Sequence, residues 1–342
     1  MKMKHHTMIQ LCGLFAALLC CVVTTAEFDV PMISFDEGYA PLFGQVNIVR
    51  THEGNGVRLL LDRFTGSGFV SSKIYKHGFF SAQIKLPRNH TAGLCVAFYA
   101  SNGDVFEKNH DELDIEFLGH VEGKPWRFQT NIYGNGSTHR GREERYTLWF
   151  DPSKEFHRYS ILWTSKDIKF FVDDTPVREV VRTAEMGGEY PSKPMQLYTT
   201  IWDASSWATA GGKYKMNYKY APFAAEFKGL ALDACAVDLI QETADGSYCT
   251  ETDAWSSYSA VSRRQKAAMK KFRQRYMYYS YCYDLVRYPV PPPECVIDPM
   301  EKQMFKETGR VKFGGSHPSR RRRSRKSYPE PPKVEDDDDE AS

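Results

Sequence analysis

Net charge is almost absent from this sequence. The formal charge is +2 over 342 residues, and residues 1–26 hold two lysines and no acid, so the remainder balances 43 basic against 43 acidic side chains. That balance gives no overall attraction for nucleic acid. Long apolar runs are also missing. The one candidate, residues 11–23, is too short to span a bilayer comfortably, and no later segment approaches membrane length. Lys2 and Lys4 precede that run, and Thr24 and Ala26 supply small residues after it, so residues 1–26 read as a secretory signal peptide cut after Ala26. Cysteine is sparse. Of eight in the chain, five remain after residue 26: Cys95, Cys235, Cys249, Cys282 and Cys295. Cys95 sits in the apolar run LCVAFYA and reads as a buried free thiol. The last four lie in the final third, where secretion permits disulfides. Sequence allows three pairings of them, and the short loops 235–249 and 282–295 favour sequential pairing. Helical periodicity is absent from 28 to about 235, and no segment repeats, which excludes helical and solenoid folds for that stretch.

Aromatic residues are abundant, at 14%, led by 20 Tyr and 21 Phe. They suit β structure and flat apolar ligands. FFSAQIKL (79–86), YSILW (159–163) and KFFVDD (169–174) alternate, and Asp173-Asp174-Thr175-Pro176 forms a turn before VREVV. Short strands at turn-separated spacing predict an all-β sandwich. From about 255 the residues SAVSRRQKAAMKKFRQRYMYYSYCYDL favour helix, with Ala268, Phe272 and Arg275 to Met277 at helical spacing. The prolines of YPVPPPEC (288–295) are expected to end it. After about 304 order is expected to fail. RRRRSRK (320–326) and EDDDDE (335–340) read as a solvated tail, with contact between the basic run and an anionic polymer as the sharper alternative. The organisation expected is therefore a signal peptide at 1–26, a β domain at 27–235, an extension at 236–300 and a charged tail at 301–342. Asn89-His-Thr and Asn135-Gly-Ser are N-glycosylation sequons.

The chemistry concentrates in HDELDIEFLGH (110–120). Strand alternation puts Glu112, Asp114 and Glu116 on one face and Leu113, Ile115 and Phe117 on the other. Alternating acids often mark only a solvated face, but the apolar second face places this strand inside a sheet. Three like charges there raise one another's pKa, which benefits a site needing one protonated and one ionised carboxyl. Nearby, FQTNIY (128–133) presents Gln129, Asn131 and Tyr133 on one face and Phe128, Thr130 and Ile132 on the other. Tyr99, Trp202 and Trp207 fall in strand-end or loop contexts that suit a carbohydrate cleft.

HDELDIEFLG resembles the signature of xyloglucan endotransglucosylase/hydrolases, plant cell-wall enzymes of the glycoside hydrolase family 16 type. WRFQTNIYGNGSTHRGREERYTLWFDPSKEFHRYSILW, YPSKPMQLYTTIWDASSWATAGGKY and CYDLVRYPVPPPEC extend the match over about 28–298. The resemblance implies a curved jelly-roll sandwich, with a disulfide-stapled extension lengthening the acceptor side of the cleft. It implies Glu112 as nucleophile, Glu116 as acid/base and Asp114 between them. It places Tyr99 by the cleaved unit, and Gln129, Thr130, Asn131, Arg142, Glu143, Trp207, Ala208 and Gly212 along the sugar subsites, with Trp202 beside them. It also implies the pairs Cys235–Cys249 and Cys282–Cys295, no metal or organic cofactor, a monomer, and xyloglucan as donor and acceptor in the apoplast. Many members read Cys-Thr-Asp-Arg where this chain has Cys282-Tyr283-Asp284-Leu285, which leaves Arg287 as the nearby cation. The link GNGSTHRGRE is short, whereas the mainly hydrolytic subgroup carries a longer loop, so transfer is expected over hydrolysis. The rivals are a xyloglucan, mixed-linkage or β-1,3-glucan hydrolase on the same scaffold, and a lectin with a dead site. The second would be expected to have lost Glu112 or Glu116.

Overall fold

The computed structural model describes residues 30–51, 56–238 and 252–312. The expected signal peptide, Cys249 and both charge blocks of the tail lie outside the described residues. Two sheets build the chain, and every strand pairing among the described residues is antiparallel. One sheet has nine strands and the other seven. The result is the expected all-β, jelly-roll-like sandwich.

The alternation that predicted strands is the alternation that fills the core. From the acid strand Glu112–Leu118, Leu113, Ile115 and Phe117 point between the sheets and are fully buried. Phe117 meets Tyr159 of the seven-stranded sheet edge-on, with ring centroids 4.7 Å apart. The strands Asp167–Val172 and Thr175–Val181 join through Asp173 and Asp174, both at positive φ (46° and 57°). A two-residue turn of that hand matches strand twist, and aspartate tolerates it better than most side chains.

The C-terminal third departs from expectation in two places. The helix runs Arg263–Tyr276, opened by a capping box between Ser262 and Gln265, and stops well before YPVPPPEC. MYYSYCYD forms a strand instead, Met277–Asp284. Its aromatic alternation suits the sheet, and it pairs with Glu144–Tyr146. Order also continues past 304: Thr308–Arg310 pairs with the Met277–Asp284 strand, and residues 301–312 belong to the fold and not to a tail. Glu301 explains the difference. It is buried and accepts from Arg273 Nε at 2.9 Å and from the Tyr283 hydroxyl at 3.0 Å. The extension thus adds two strands to the sheet that carries the acids. Cys282–Cys295 is a disulfide, and Cys95 is buried and free. The expected Cys235–Cys249 pair involves a residue outside the described ones.

Candidate active site

The sheet register explains how residues distant in sequence come to one place. Along the acid strand, Glu112 lies opposite Ser101 and Tyr133, Asp114 opposite Tyr99 and Asn131, and Glu116 opposite Ala97 and Gln129. Partners directly across antiparallel strands share a face. One such line crosses eight of the nine strands: Phe43, Gly68, Thr200, Ala97, Glu116, Gln129, Arg145 and Tyr279 are successive cross-strand partners. On the Phe43 side of Glu116 the side chains are small, leaving a floor. On the Tyr279 side they are long and polar. A cleft of about 390 Å³ opens over this face, lined by the three acids with Tyr99, Asn131, Tyr133, Trp202 and Phe43 among others.

The three carboxyls stand in unlike surroundings. Burial pushes Asp114 well above the usual carboxylate range, and the flanking Glu112 and Glu116 push it further. Asp114 and Glu112 are hydrogen-bonded to each other, which requires a proton between them, and the shift favours Asp114 as its holder. Glu112 is itself raised by burial, but hydrogen bonds from Ser101 and Asp114 and the nearby His110 favour its ionised form. Glu116 is raised to about 7, first by burial and then by Glu143 and Glu112, against the Gln129 amide and Arg145, which lower it. Gln129 Nε2 donates to Glu116 Oε2 at 2.7 Å. The strand thus presents one carboxyl suited to attack and, two residues along the same face, one suited to give and take a proton near neutrality.

A pH prediction follows from these contacts. The Gln129 bond stabilises ionised Glu116, so Gln129→Leu should raise the Glu116 pKa. Glu143→Gln removes a negative neighbour and should lower it. If Glu116 acts as the acid, kcat/KM falls as pH rises through its pKa. The alkaline limb should therefore move up in Gln129→Leu and down in Glu143→Gln, read from kcat/KM profiles of the two variants. Shifts of the same sign in both would contradict the assignment.

The sequence matches glycosyl hydrolases family 16 over residues 35–220 and the xyloglucan endo-transglycosylase C-terminus over 249–295. Xyloglucan endotransglucosylase/hydrolase protein 30 of Arabidopsis thaliana is 62% identical over 331 residues, covering 96% of each chain. This chain belongs to the xyloglucan endotransglucosylase/hydrolases of that family. Protein 29 of the same plant is 59% identical over 318 residues, covering 88% of this chain and 89% of its own. Among solved structures, a prokaryotic β-1,3-1,4-glucanase (lichenase) derived from a mouse hindgut metagenome overlays with a TM-score of 0.48 at 23% identity, over 59% of this chain and 97% of that one. That likeness is too distant to carry an argument about substrate.

Within this family member the expected subsite residues divide. Tyr99, Asn131 and Trp202 line the cleft with the acids. Trp207 is exposed beside Trp202, with ring centroids 6.0 Å apart. Glu143 lies beyond Gln129, ion-paired to Arg145. Arg287 interacts with Tyr279 and with the charge of Glu143. The Ala208 methyl packs into a small cluster with Cys95, Leu118 and Ala204, with Trp202 against it. Gly212 shapes the turn below: its φ is +85°, and a Cβ there would meet the Ser206 carbonyl at 2.3 Å.

Two expectations are corrected. Thr130 faces the core, where its hydroxyl accepts from Arg178 Nη1 at 2.9 Å, because it alternates with Gln129 and Asn131 on the strand. Arg142 is 1% exposed. It donates from Nε to Glu294 at 2.6 Å and from Nη2 to Glu189, and so ties the extension to the loop before residue 190. Neither side chain faces the cleft. The sequence reading also missed Ser101 and Phe43. Ser101 touches Glu112 only through register, and no local signal marks it. Phe43 comes from an N-terminal edge strand, Tyr39–Phe43, whose place four strands from the acid strand is a property of topology.

Proposed function

We infer that this chain cleaves the β-1,4-glucan backbone of xyloglucan and transfers the new glycosyl end to a second xyloglucan chain, by a double displacement. Glu112 attacks the anomeric carbon while Glu116 protonates the departing glycosidic oxygen, and a covalent glycosyl-enzyme forms. Glu116, now ionised, takes the proton from the 4-hydroxyl of an incoming glucan, whose oxygen displaces Glu112. Two inversions give net retention. Asp114 gives Glu112 a hydrogen bond and keeps the pair from carrying two negative charges. The observation that carries this reading is the placement of the two glutamates on one strand face of the cleft, Glu112 hydrogen-bonded by Ser101 and Asp114 and Glu116 bonded by Gln129 and raised by burial to about 7. Proton NMR of the first-formed reducing ends tests it: β-anomer supports the mechanism, and initial α-anomer contradicts it.

We further propose secretion to the cell wall with removal of residues 1–26, and use of the Asn89 and Asn135 sequons, since both asparagines are exposed in loops. Xyloglucan serves as both donor and acceptor for a monomeric enzyme. The acceptor side is assigned to the extension, which widens the sheet by two strands beyond Glu144–Tyr146.

Transfer over hydrolysis rests on the short link between Ser137 and Gly141. Only one turn of 3₁₀ helix, Thr138–Arg140, fills it, and Arg140 is held back against Glu189 at 3.1 Å. Water always competes for the glycosyl-enzyme, so an acceptor must be bound and aligned ahead of it. A well-oriented bound group reaches an effective concentration of roughly 10⁵ M or more. Lengthening the link after Ser137 by about five residues, as exposed loops tolerate, should obstruct acceptor binding. The ratio of new reducing ends to transferred label should rise, with total turnover falling less than transfer.

A further inference from the structure

The helix Arg263–Tyr276 breaks several local rules at once. Its sequence, RRQKAAMKKFRQRY, holds seven cations and no acid. Arg263 and Arg264 occupy the first turn, where the helix dipole disfavours positive charge. Lys266 with Lys270, and Lys271 with Arg275, are like-charged pairs four residues apart, which destabilise a helix. The fold accounts for two of the seven. Arg273 pairs with Glu144 at 2.6 Å and Glu301 at 2.9 Å, and Lys270 with Asp298 at 2.7 Å. The other five are exposed, and none has a salt-bridge partner among the described residues. Arg273 lies half a turn around the helix from Arg264 and is held against the fold by its pairs with Glu144 and Glu301, and on the flank between them Phe272 packs against Tyr146 and Trp149 with ring centroids 5.2 and 5.5 Å away. The charged face is therefore fixed outward.

The chain as a whole is close to neutral, so this concentration of charge is local. Rules broken together without compensation inside the fold mark a function outside it. Geometry narrows the ligand. At 100° and 1.5 Å per residue, Arg264, Lys271 and Arg275 fall within about 40° of one line, spaced about 10 Å and about 6 Å along it. Ala267 lies between the cations and leaves the surface open. A row of cations suits a linear polymer with repeating negative charge, and the guanidinium groups match carboxylates two bonds at a time. The helix runs directly into the Met277–Asp284 strand of the cleft sheet. It packs chiefly against Thr175–Val181, the edge strand of the seven-stranded sheet, so a polymer along it would lie outside the glucan cleft.

We propose that this face binds a linear polycarboxylate polysaccharide, a polyuronate, as an anchoring ligand distinct from the neutral glucan. The attraction is between exposed charges and is screened by salt.

The test uses the full chain and binding alone, so it stands apart from the reaction mechanism. Affinity electrophoresis through polygalacturonate is compared with the same polymer fully methyl-esterified, which keeps the backbone and removes the charge. Retardation in the first, at least tenfold weaker in the second and abolished by 0.5 M salt, is expected. The variant Arg264→Gln/Lys271→Gln/Arg275→Gln should lose at least tenfold in affinity while its transfer rate on xyloglucan stays unchanged. Lys271→Arg should bind as the unaltered chain does. A comparator with Arg320 to Arg323 changed to Gln separates the tail. Loss of binding in that comparator with none in the helix variant overturns the proposal. So does equal binding to the esterified polymer, or retention only by double-stranded DNA.

Discussion

Glu112→Ala should lose both transfer and hydrolysis, to below about one part in a thousand of the unaltered rate, and should remain folded. Burial raises the Glu112 pKa, and Ser101, Asp114 and His110 act against that rise, in favour of the ionised form that attacks. Asp114 is buried, with its pKa pushed well above the usual carboxylate range by burial and by its two glutamate neighbours, and Glu116 is engaged by Gln129. Neither can substitute as a nucleophile. The loss should appear in kcat, with binding of xyloglucan oligosaccharides kept within a few-fold in a direct titration. Azide entering the space left by the side chain should restore turnover of an activated substrate and yield a glycosyl azide of inverted anomeric configuration. Full activity in Glu112→Ala, or rescue with retention, would remove Glu112 from the role proposed for it.

Arg273→Ala should be the most destabilising single change outside the cleft. Glu144 is 2% exposed. Burial alone would raise its pKa, but Arg273 and Arg178 hold it at about 2. Arg273 also grips Glu301, and the two pairs join its helix to the sheet and to the short helix Pro299–Met304. Removing one partner of a buried pair leaves an uncompensated charge and costs about 3–5 kcal/mol, a fall of about 10 °C in melting temperature for a domain of this size. The sign with pH is definite. A carboxylate whose folded pKa is depressed contributes stability above its unfolded pKa, near 4.3, and loses it as pH falls toward about 2. The unaltered chain should therefore lose this share of its stability on acidification through that window, and Arg273→Ala should lose less there. Calorimetric melting at pH 7, 4 and 2 reads both effects.

Much of the catalytic face was legible because its information is local. Alternation alone put three acids on one side of a strand and Leu113, Ile115 and Phe117 on the other, and it separated Gln129 and Asn131 from Thr130. The subsite expectation for Thr130 overrode that alternation, and the structure sides with the alternation. Arg142 went astray for a different reason. Its place on a subsite came from the resemblance, and its burial depends on Glu294, 152 residues later, and on Glu189. The C-terminal helix was overextended because MYYSYCYD carries both aromatic and helical spacing over eight residues. Only the open edge beside Glu144–Tyr146 decides for strand. Ser101 and Phe43 needed register and topology, which no window of sequence contains.

The central claim is that a glycosyl group, once on Glu112, goes to sugar before water. Xyloglucan should be incubated with a labelled xyloglucan oligosaccharide at saturating concentration, and label incorporated into polymer measured against new reducing ends over the same interval. The account predicts label in polymer well in excess of new reducing ends, with both signals absent in Glu112→Ala. Mainly new reducing ends from the unaltered enzyme, at saturating acceptor, would contradict it and make the chain a hydrolase.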